Sequence, residues 1–425
     1  MNELRASTSP DERMTAARKL YERNAAGAGA DVDVEAMWSY RLGRVREQIQ
    51  KEDFACMVLY DPVNIRYATG TSTMPVFSLH FRDRYCFIPA DGPVVFFEKP
   101  HWRHLTEGSG TVDEVRTQVS CRGATGGPNV TKNVVKWISE IDELIGNFGG
   151  GSRRIAMDHC EPVLALALAE KGFELCEAQE PLERARAIKS ADEIQCMRIA
   201  LAVAEHGMHK MREALKPGIT ENELWAILAR TNIAYGGEWL ECRLLAAGQR
   251  TNPWLQEATD RPVRAGELVA FDTDMIGPFG YCADISRTYF CGSDRPTRRQ
   301  RELYRLAHEE LHHNMSLLRA GVTLREVAEQ AWKVPAQYAD NSYAFIAHGV
   351  GLCDEWPNCY QLERLEAQDE GGIVLESGMT LCVESYIGES GGPDGVKLEE
   401  QVLIAEEGAE RLSSFPFEED LLAAE

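Results

Sequence analysis

The sequence predicts an α+β protein in which a C-terminal region of two related halves follows an α/β N-terminal domain. Three observations carry this. The first part of the chain alternates strand-like and helix-like apolar periods, the second part repeats one helix–turn–helix phrase, and each copy of that phrase is followed by an acidic β-hairpin.

In chain order, "FACMVLY" near Phe54, "YCFIPA" near Tyr85 and "PVVFFE" near Pro93 are dense in strand-forming residues. The stretch from Thr131 to Phe148 has helical spacing, and "RRIAMD" with "EPVLALALAEKG" adds a strand and a helix. This domain ends near Glu183, and 425 residues exceed the roughly 100 to 200 of one domain, so the expected division is 1–185 and 186–425. At Ser190 a hydroxyl can cap a helix while Glu193 reaches back, the S-x-x-E box, and a long amphipathic helix then runs to about Leu215. "LKPGITENEL" from Leu215 and "LRAGVTLREV" from Leu318 share a helix end, a glycine for a left-handed turn and a Thr-x-x-Glu start. Two α/β halves folded face to face would bring their hairpins together.

Composition narrows the function. With 67 acidic against 45 basic residues the formal charge is -22, which opposes binding to nucleic acid or anionic membranes. No apolar run reaches the ~18 residues of a membrane span, and "MNELRASTSPDERMTAARKL" lacks a secretory h-region, so a cytoplasmic location is expected. The twelve cysteines form no C-x-x-C pair and read as reduced, buried thiols.

The first hairpin, "FDTDMIGPFGYCADISRTYF", puts Asp272 and Asp274 two apart, hence on one face of a strand. A turn centred near Phe279 would set Asp284 opposite Asp274. The second hairpin carries Glu384 and Glu399 around "ESGGPDG", and His348 lies between the hairpins beside glycines that permit close backbone approach. Unpaired buried like charges cost several kcal/mol each or take up protons. Metal ions remove that penalty, and six mainly oxygen ligands suit two neighbouring ions of the iron, manganese or zinc kind. A lone acidic hairpin or a lone histidine is ordinarily structural; the ordered set is the signal. His308, His312 and His313 read as one face of a charged, solvated helix.

At these residues the chain resembles the creatinase and aminopeptidase-P family of pita-bread proteins, with "NIRYATG" at Asn64 similar to that family's N-terminal domain. The resemblance implies a pita-bread catalytic domain and metal ligands at Asp274 (or Asp272), Asp284, His348, Glu384 and Glu399. It also implies a homodimer whose N-terminal domain leans over the partner's site. Three departures stand out. The D-x-D adds a candidate ligand, "DEWP" puts Asp354 where the peptidases carry the histidine of H-E-x-P, and Pro253-Trp254 replaces Pro-His. Losing two histidines that assist amide hydrolysis argues against a peptidase of the Xaa-Pro dipeptidase kind.

The combination "FDTDMIGPFGYCADISRTYF" with "AHGVGLCDEWP" closely resembles the dimethylsulfoniopropionate-lyase branch of the family. That implies an iron-bearing dinuclear centre, Asp354 as the base, Tyr343 beside the substrate, and β-elimination to dimethyl sulfide and acrylate. A sulfonium has positive charge without N–H donors, so aromatic faces hold it best, at about 0.5 to 2 kcal/mol per contact. Trp254, Trp356, Tyr343 and Tyr67 are the candidates, against the alternative that they are ordinary core aromatics. A catalytically silent binding module is the third reading, disfavoured because no ligand is missing.

Overall fold

The computed structural model describes residues 32–368 and 371–423; the N-terminal stretch read above for a secretory leader lies outside the described residues. The described chain divides into two compact units, Asp33–Arg186 and Ala187 onward.

In the first unit six strands form one sheet: β1 (Cys56–Leu59), β2 (Tyr85–Pro89), β3 (Val95–Glu98), β4 (Glu114–Thr117), β5 (Arg154–Met157) and β6 (Glu174–Glu177), in the order β4-β3-β2-β1-β5-β6. β2 runs antiparallel to both neighbours, whereas the pairs β1–β5, β5–β6 and β3–β4 are parallel. The helix Val130–Phe148 buries Val134, Trp137, Ile138, Ile141, Leu144 and Ile145, the three- and four-residue spacing of a stripe facing a core. That stripe packs with sheet residues Val58, Tyr85, Phe87, Val95 and Phe97.

The second unit shows the repeated phrase as repeated structure. Ser190 caps Ala191–Ala214, Thr220 caps Glu221–Ala234 and Thr323 caps Leu324–Gln330, each with a reciprocal glutamate three residues on. Gly218 and Gly321 take φ of 98° and 85°, left-handed values that a side chain rarely adopts. The two copies also end alike: Thr220 bridges Pro262 and Thr323 bridges Val374.

The strands here are β7 (Trp239–Leu240), β8 (Leu245–Ala247), β9 (Leu268–Asp272), β10 (Met275–Ile276), β11 (Cys282–Ala283), β12 (Ser286–Phe290), β13 (Phe345–Val350), β14 (Asp354–Tyr360), β15 (Thr380–Gly388), β16 (Gly395–Ile404) and β17 (Ala409–Arg411). They form three sheets, β11-β10-β7, β12-β9-β8 and β14-β13-β15-β16-β17. Along β15 and β16 the two-residue alternation separates two jobs. Leu381, Val383, Leu398 and Val402 enter the large core with Leu303, Ala307 and Leu311 of the helix Arg298–Leu317, while Glu384, Lys397 and Glu399 take the alternate positions and face the opposite side. Among the described residues no helix is long and apolar enough to cross a membrane.

The first hairpin departs from a regular strand. Ser286 pairs with Asp272 and Met275 with Ala283, one continuous register centred on Phe279 as its spacing predicts. Between them Asp274 takes φ of 33°, and the chain passes from the β9 sheet to the β10 sheet. Asp272 and Asp274 are thus not neighbours on one face of one strand; a kink, not the two-residue period, turns both toward Asp284.

Candidate metal centre

The elements converge on one buried cluster. Oxygens of Asp272, Asp274 and Asp284 lie within 4.8 Å of one another, and so do ligand atoms of Asp284, His348, Cys382 and Glu399. Glu384 sits directly opposite Glu399 across the β15–β16 ladder. His348 Nε2 is 3.3 Å from Glu384 Oε1, 3.6 Å from Asp284 Oδ2 and 3.7 Å from Glu399 Oε1. The other ring nitrogen, Nδ1, lies 3.0 Å from the Gly349 carbonyl oxygen, which can only accept. A proton on Nδ1 leaves the Nε2 lone pair of a neutral imidazole aimed at the carboxylates, the arrangement of a metal-ligating histidine.

Charge is strongly unbalanced here. Burial first, then Glu399, Asp274 and Asp272, push Asp284 well above the ordinary carboxylate range. Asp274 and Glu399 are raised too, burial acting first and the Asp272 charge second. Burial alone would lower His348, but the Glu384 hydrogen bond and the charges of Asp354, Glu384 and Glu399 prevail and raise it to about 10. These shifts come from like charges held together in a buried space, a strain that bound cations would relieve.

The donor set fits metal ions. Asp272 Oδ1, Asp284 Oδ1 and Glu399 Oε1 are buried and find no hydrogen-bond partner among the described residues. Leaving such an oxygen unsatisfied costs about 1–3 kcal/mol, more when it is charged. Carboxylates with one imidazole are ligands for hard or borderline divalent ions. Asp272, Asp274, Asp284, His348, Glu384 and Glu399 are the residues that would hold them.

Asp354 opens β14 at the rim. Its side chain is 55% exposed, and Oδ1 lies 3.8 Å from His348 Nδ1. Surrounding protein first, then the charges of Asp272, Glu384 and Glu355, raise its carboxyl above the usual range against the opposing pull of His348. The bracing of this turn belongs to Glu355, which accepts from Leu352 N at 3.0 Å and pairs with buried Lys189 at 2.9 Å. The neighbouring glycines serve strand packing: a Cβ on Gly349 would strike the Trp356 carbonyl and one on Gly351 the Glu355 carboxylate.

The aromatic candidates separate. Trp254 stacks on Tyr386 with ring centroids 6.2 Å apart, and Tyr343 packs against the same cluster, its ring 5.3 Å from Lys397 Nζ. Trp356 packs on the large hydrophobic core instead. Tyr67, only 1% exposed, donates its hydroxyl to the Ala185 carbonyl at 2.8 Å inside the first unit, as a core tyrosine does.

Five residues at the centre had no sequence-based assignment. Lys397 reaches three ligand carboxylates, Cys382 joins the histidine group, Cys242 Sγ stands 2.7 Å from Asp274 Oδ2, and Glu241 lies with Cys282 beside Asp354. Burial first, then Asp354 and Glu355, hold Glu241 up at about 7. Lys397 carried one usable signal, its place two residues before Glu399 on the same strand face. All twelve cysteines are free thiols, though Cys160, Cys176, Cys242 and Cys353 are only partly buried. His308 and His312 are not a purely solvated face: they stack on each other at 3.9 Å and both meet Phe417.

Comparison with known proteins agrees with this architecture. Residues 195–406 match Metallopeptidase family M24, and residues 41–188 match the Creatinase/Prolidase N-terminal domain. The chain is 38% identical to dimethylsulfoniopropionate lyase DddP of Roseovarius nubinhibens, over 92% of this chain and 88% of that protein. It is 36% identical to the DddP of Roseobacter denitrificans, over 92% and 89% of the two chains. The solved Xaa-Pro dipeptidase of Bacillus anthracis superposes with a TM-score of 0.72 at 20% identity, covering 90% of this chain and 99% of that one, a likeness of fold. With a pita-bread catalytic domain behind a creatinase-type N-terminal domain, and with DddP proteins as relatives over most of its length, the chain belongs to metallopeptidase family M24.

Proposed function

We propose that this chain is a carbon–sulfur lyase that cleaves dimethylsulfoniopropionate by β-elimination to dimethyl sulfide and acrylate. The observation that carries the reading is the similarity to two DddP lyases over 92% of the chain, with Asp354 at the rim of the carboxylate cluster. Asp354 takes the proton from the carbon next to the substrate carboxylate. The electrons of that C–H bond form the C=C bond, and the C–S pair leaves with sulfur as neutral dimethyl sulfide. Asp272, Asp274, Asp284, His348, Glu384 and Glu399 would hold two metal ions, iron in this proposal with manganese and zinc as the alternatives, whose positive charge would stabilise the substrate carboxylate as negative charge develops on it.

An aspartate near its ordinary pKa of about 3.9 is a weak base, so a raised value favours the role. Without ions in the site the Asp354 carboxyl is raised, the surrounding protein acting first and the Asp272, Glu384 and Glu355 charges adding to it; bound cations would draw it down again. Tyr343, whose ring lies 5.3 Å from Lys397 Nζ, and Trp254, in the cluster that Tyr343 packs against, are the proposed faces for the sulfonium. A cytoplasmic homodimer completes the proposal. The test is headspace gas analysis of metal-replete protein given dimethylsulfoniopropionate: dimethyl sulfide is expected, and its absence rejects the lyase. Release of proline from Xaa-Pro dipeptides would favour the peptidase alternative, which the shared family and fold keep in play.

A further inference from the structure

Lys397 is fully buried, and its ammonium touches oxygens on one side of the cluster only. Nζ donates to Glu384 Oε2 at 2.5 Å, to Ser286 Oγ at 2.8 Å and to Glu399 Oε2 at 3.0 Å, and lies 3.2 Å from Asp272 Oδ2. Ser286 Oγ in turn donates to Glu399 Oε2 at 2.7 Å. The opposite oxygens of the same carboxylates point elsewhere: Glu384 Oε1 and Glu399 Oε1 face His348 Nε2, and Asp272 Oδ1 and Glu399 Oε1 lack a hydrogen-bond partner among the described residues. Each of the three carboxylates is therefore divided, one oxygen to the lysine and one to the ion pocket. The Tyr343 ring lies over the ammonium, 5.3 Å away.

We propose that Lys397 is a built-in counter-cation of the metal centre, which holds Asp272, Glu384 and Glu399 single-oxygen toward the ions and sets the charge of the site for a pair of divalent metals. This rests on the reading of the cluster as a two-ion centre. Asp272, Asp274, Asp284, Glu384 and Glu399 are five carboxylates. With ions bound, the five carboxylates would all be ionised and His348 a neutral ligand, so the ammonium brings the set to four negative charges, which two divalent ions would neutralise; without it, a more highly charged pair would be needed. A charge this close acts through a low-dielectric interior with little screening.

The test uses the full chain, with iron as the probe. Wild type, Lys397→Met and Lys397→Arg are loaded anaerobically with iron(II), and iron per chain is counted by plasma mass spectrometry. The iron(III) to iron(II) ratio is then read by Mössbauer spectroscopy at one fixed potential. Removing a buried positive charge beside the ions favours the more highly charged iron, so Lys397→Met is expected to raise the ratio at least about tenfold. Lys397→Arg, which keeps the charge, is expected to stay with the wild type. Loss of iron from Lys397→Met with retention in Lys397→Arg supports the holding of the carboxylates. Wild-type iron content and an unchanged ratio in Lys397→Met overturn the proposal. Where Lys397→Met fails to fold, Lys397→Gln, neutral yet able to donate to the same oxygens, gives the same reading, and an unchanged ratio there overturns it equally. A wild type that takes up neither iron, manganese nor zinc defeats the two-ion reading itself, a result distinct from failure of the lysine's role.

Discussion

Asp354 Oδ1 lies 3.8 Å from His348 Nδ1, close enough to feel the imidazole, while that nitrogen already has a carbonyl acceptor 3.0 Å away in Gly349. The carboxylate is not needed to hold the turn, which Glu355 braces, and in the proposed mechanism it is the base. Asp354→Ala and Asp354→Asn should reduce dimethyl sulfide release by about 10²- to 10⁴-fold, the usual contribution of a general base. Metal content should stay at the wild-type level. Headspace gas chromatography with plasma mass spectrometry checks both, and a retained rate removes Asp354 from the mechanism.

Chelation should cost both activity and stability. The buried oxygens Asp272 Oδ1, Asp284 Oδ1 and Glu399 Oε1 have no other partner among the described residues, so stripping the ions returns uncompensated charge to the site. An ion bound only by the folded state at 100 times its Kd stabilises by about 2.7 kcal/mol. Tm should fall by several degrees and recover, with activity, when one metal is restored. Comparing iron, manganese and zinc in that recovery identifies the working ion.

The aromatic substitutions should divide by location. Trp254→Leu and Tyr343→Ala remove the two rings proposed to face the sulfonium and should raise KM by about 2- to 30-fold if each ring contributes one cation–π contact. Tyr67→Phe removes the hydroxyl bonded to Ala185 and should lower stability by about 1 kcal/mol with kcat and KM unchanged. Steady-state kinetics and thermal melts distinguish the two outcomes; a KM effect for Tyr67→Phe would restore it as a candidate.

Glu310, on the helix Arg298–Leu317, predicts a pH dependence away from the chemistry. It is 4% exposed, and burial first, then the Glu384 charge, hold its carboxyl up at about 8 even though Ser385 donates to it at 2.6 Å. A carboxyl raised in the folded state keeps its proton while the unfolded chain loses one, so stability falls as pH rises from about 4.5 to about 8. Glu310→Gln, a stand-in for the neutral acid, should match the wild type near pH 4. It should exceed it by at least about 2–4 °C in Tm at pH 9, as about 1 kcal/mol would produce. Equal melting at both pH values would show that Glu310 is charged in the folded protein.

Local features were legible in the sequence because they depend on near neighbours. Ser190 with Glu193, Thr220 with Glu223 and Thr323 with Glu326 close their capping boxes within four residues. The register centred on Phe279 and the pairing of Glu384 with Glu399 follow from turn position and the two-residue strand period. The order of acidic residues and His348 was enough to point to a metal cluster.

Packing decided what periodicity could not. The kink at Asp274, the enclosure of Tyr67 and the packing of Trp356 against the core arise where separate elements meet. Lys397 is the sharpest case: its strand position puts it on the site's face, but the division of three carboxylates depends on β9, β15 and β16 approaching within hydrogen-bond distance. Such contacts join residues far apart in sequence, and only the folded arrangement sets their distances.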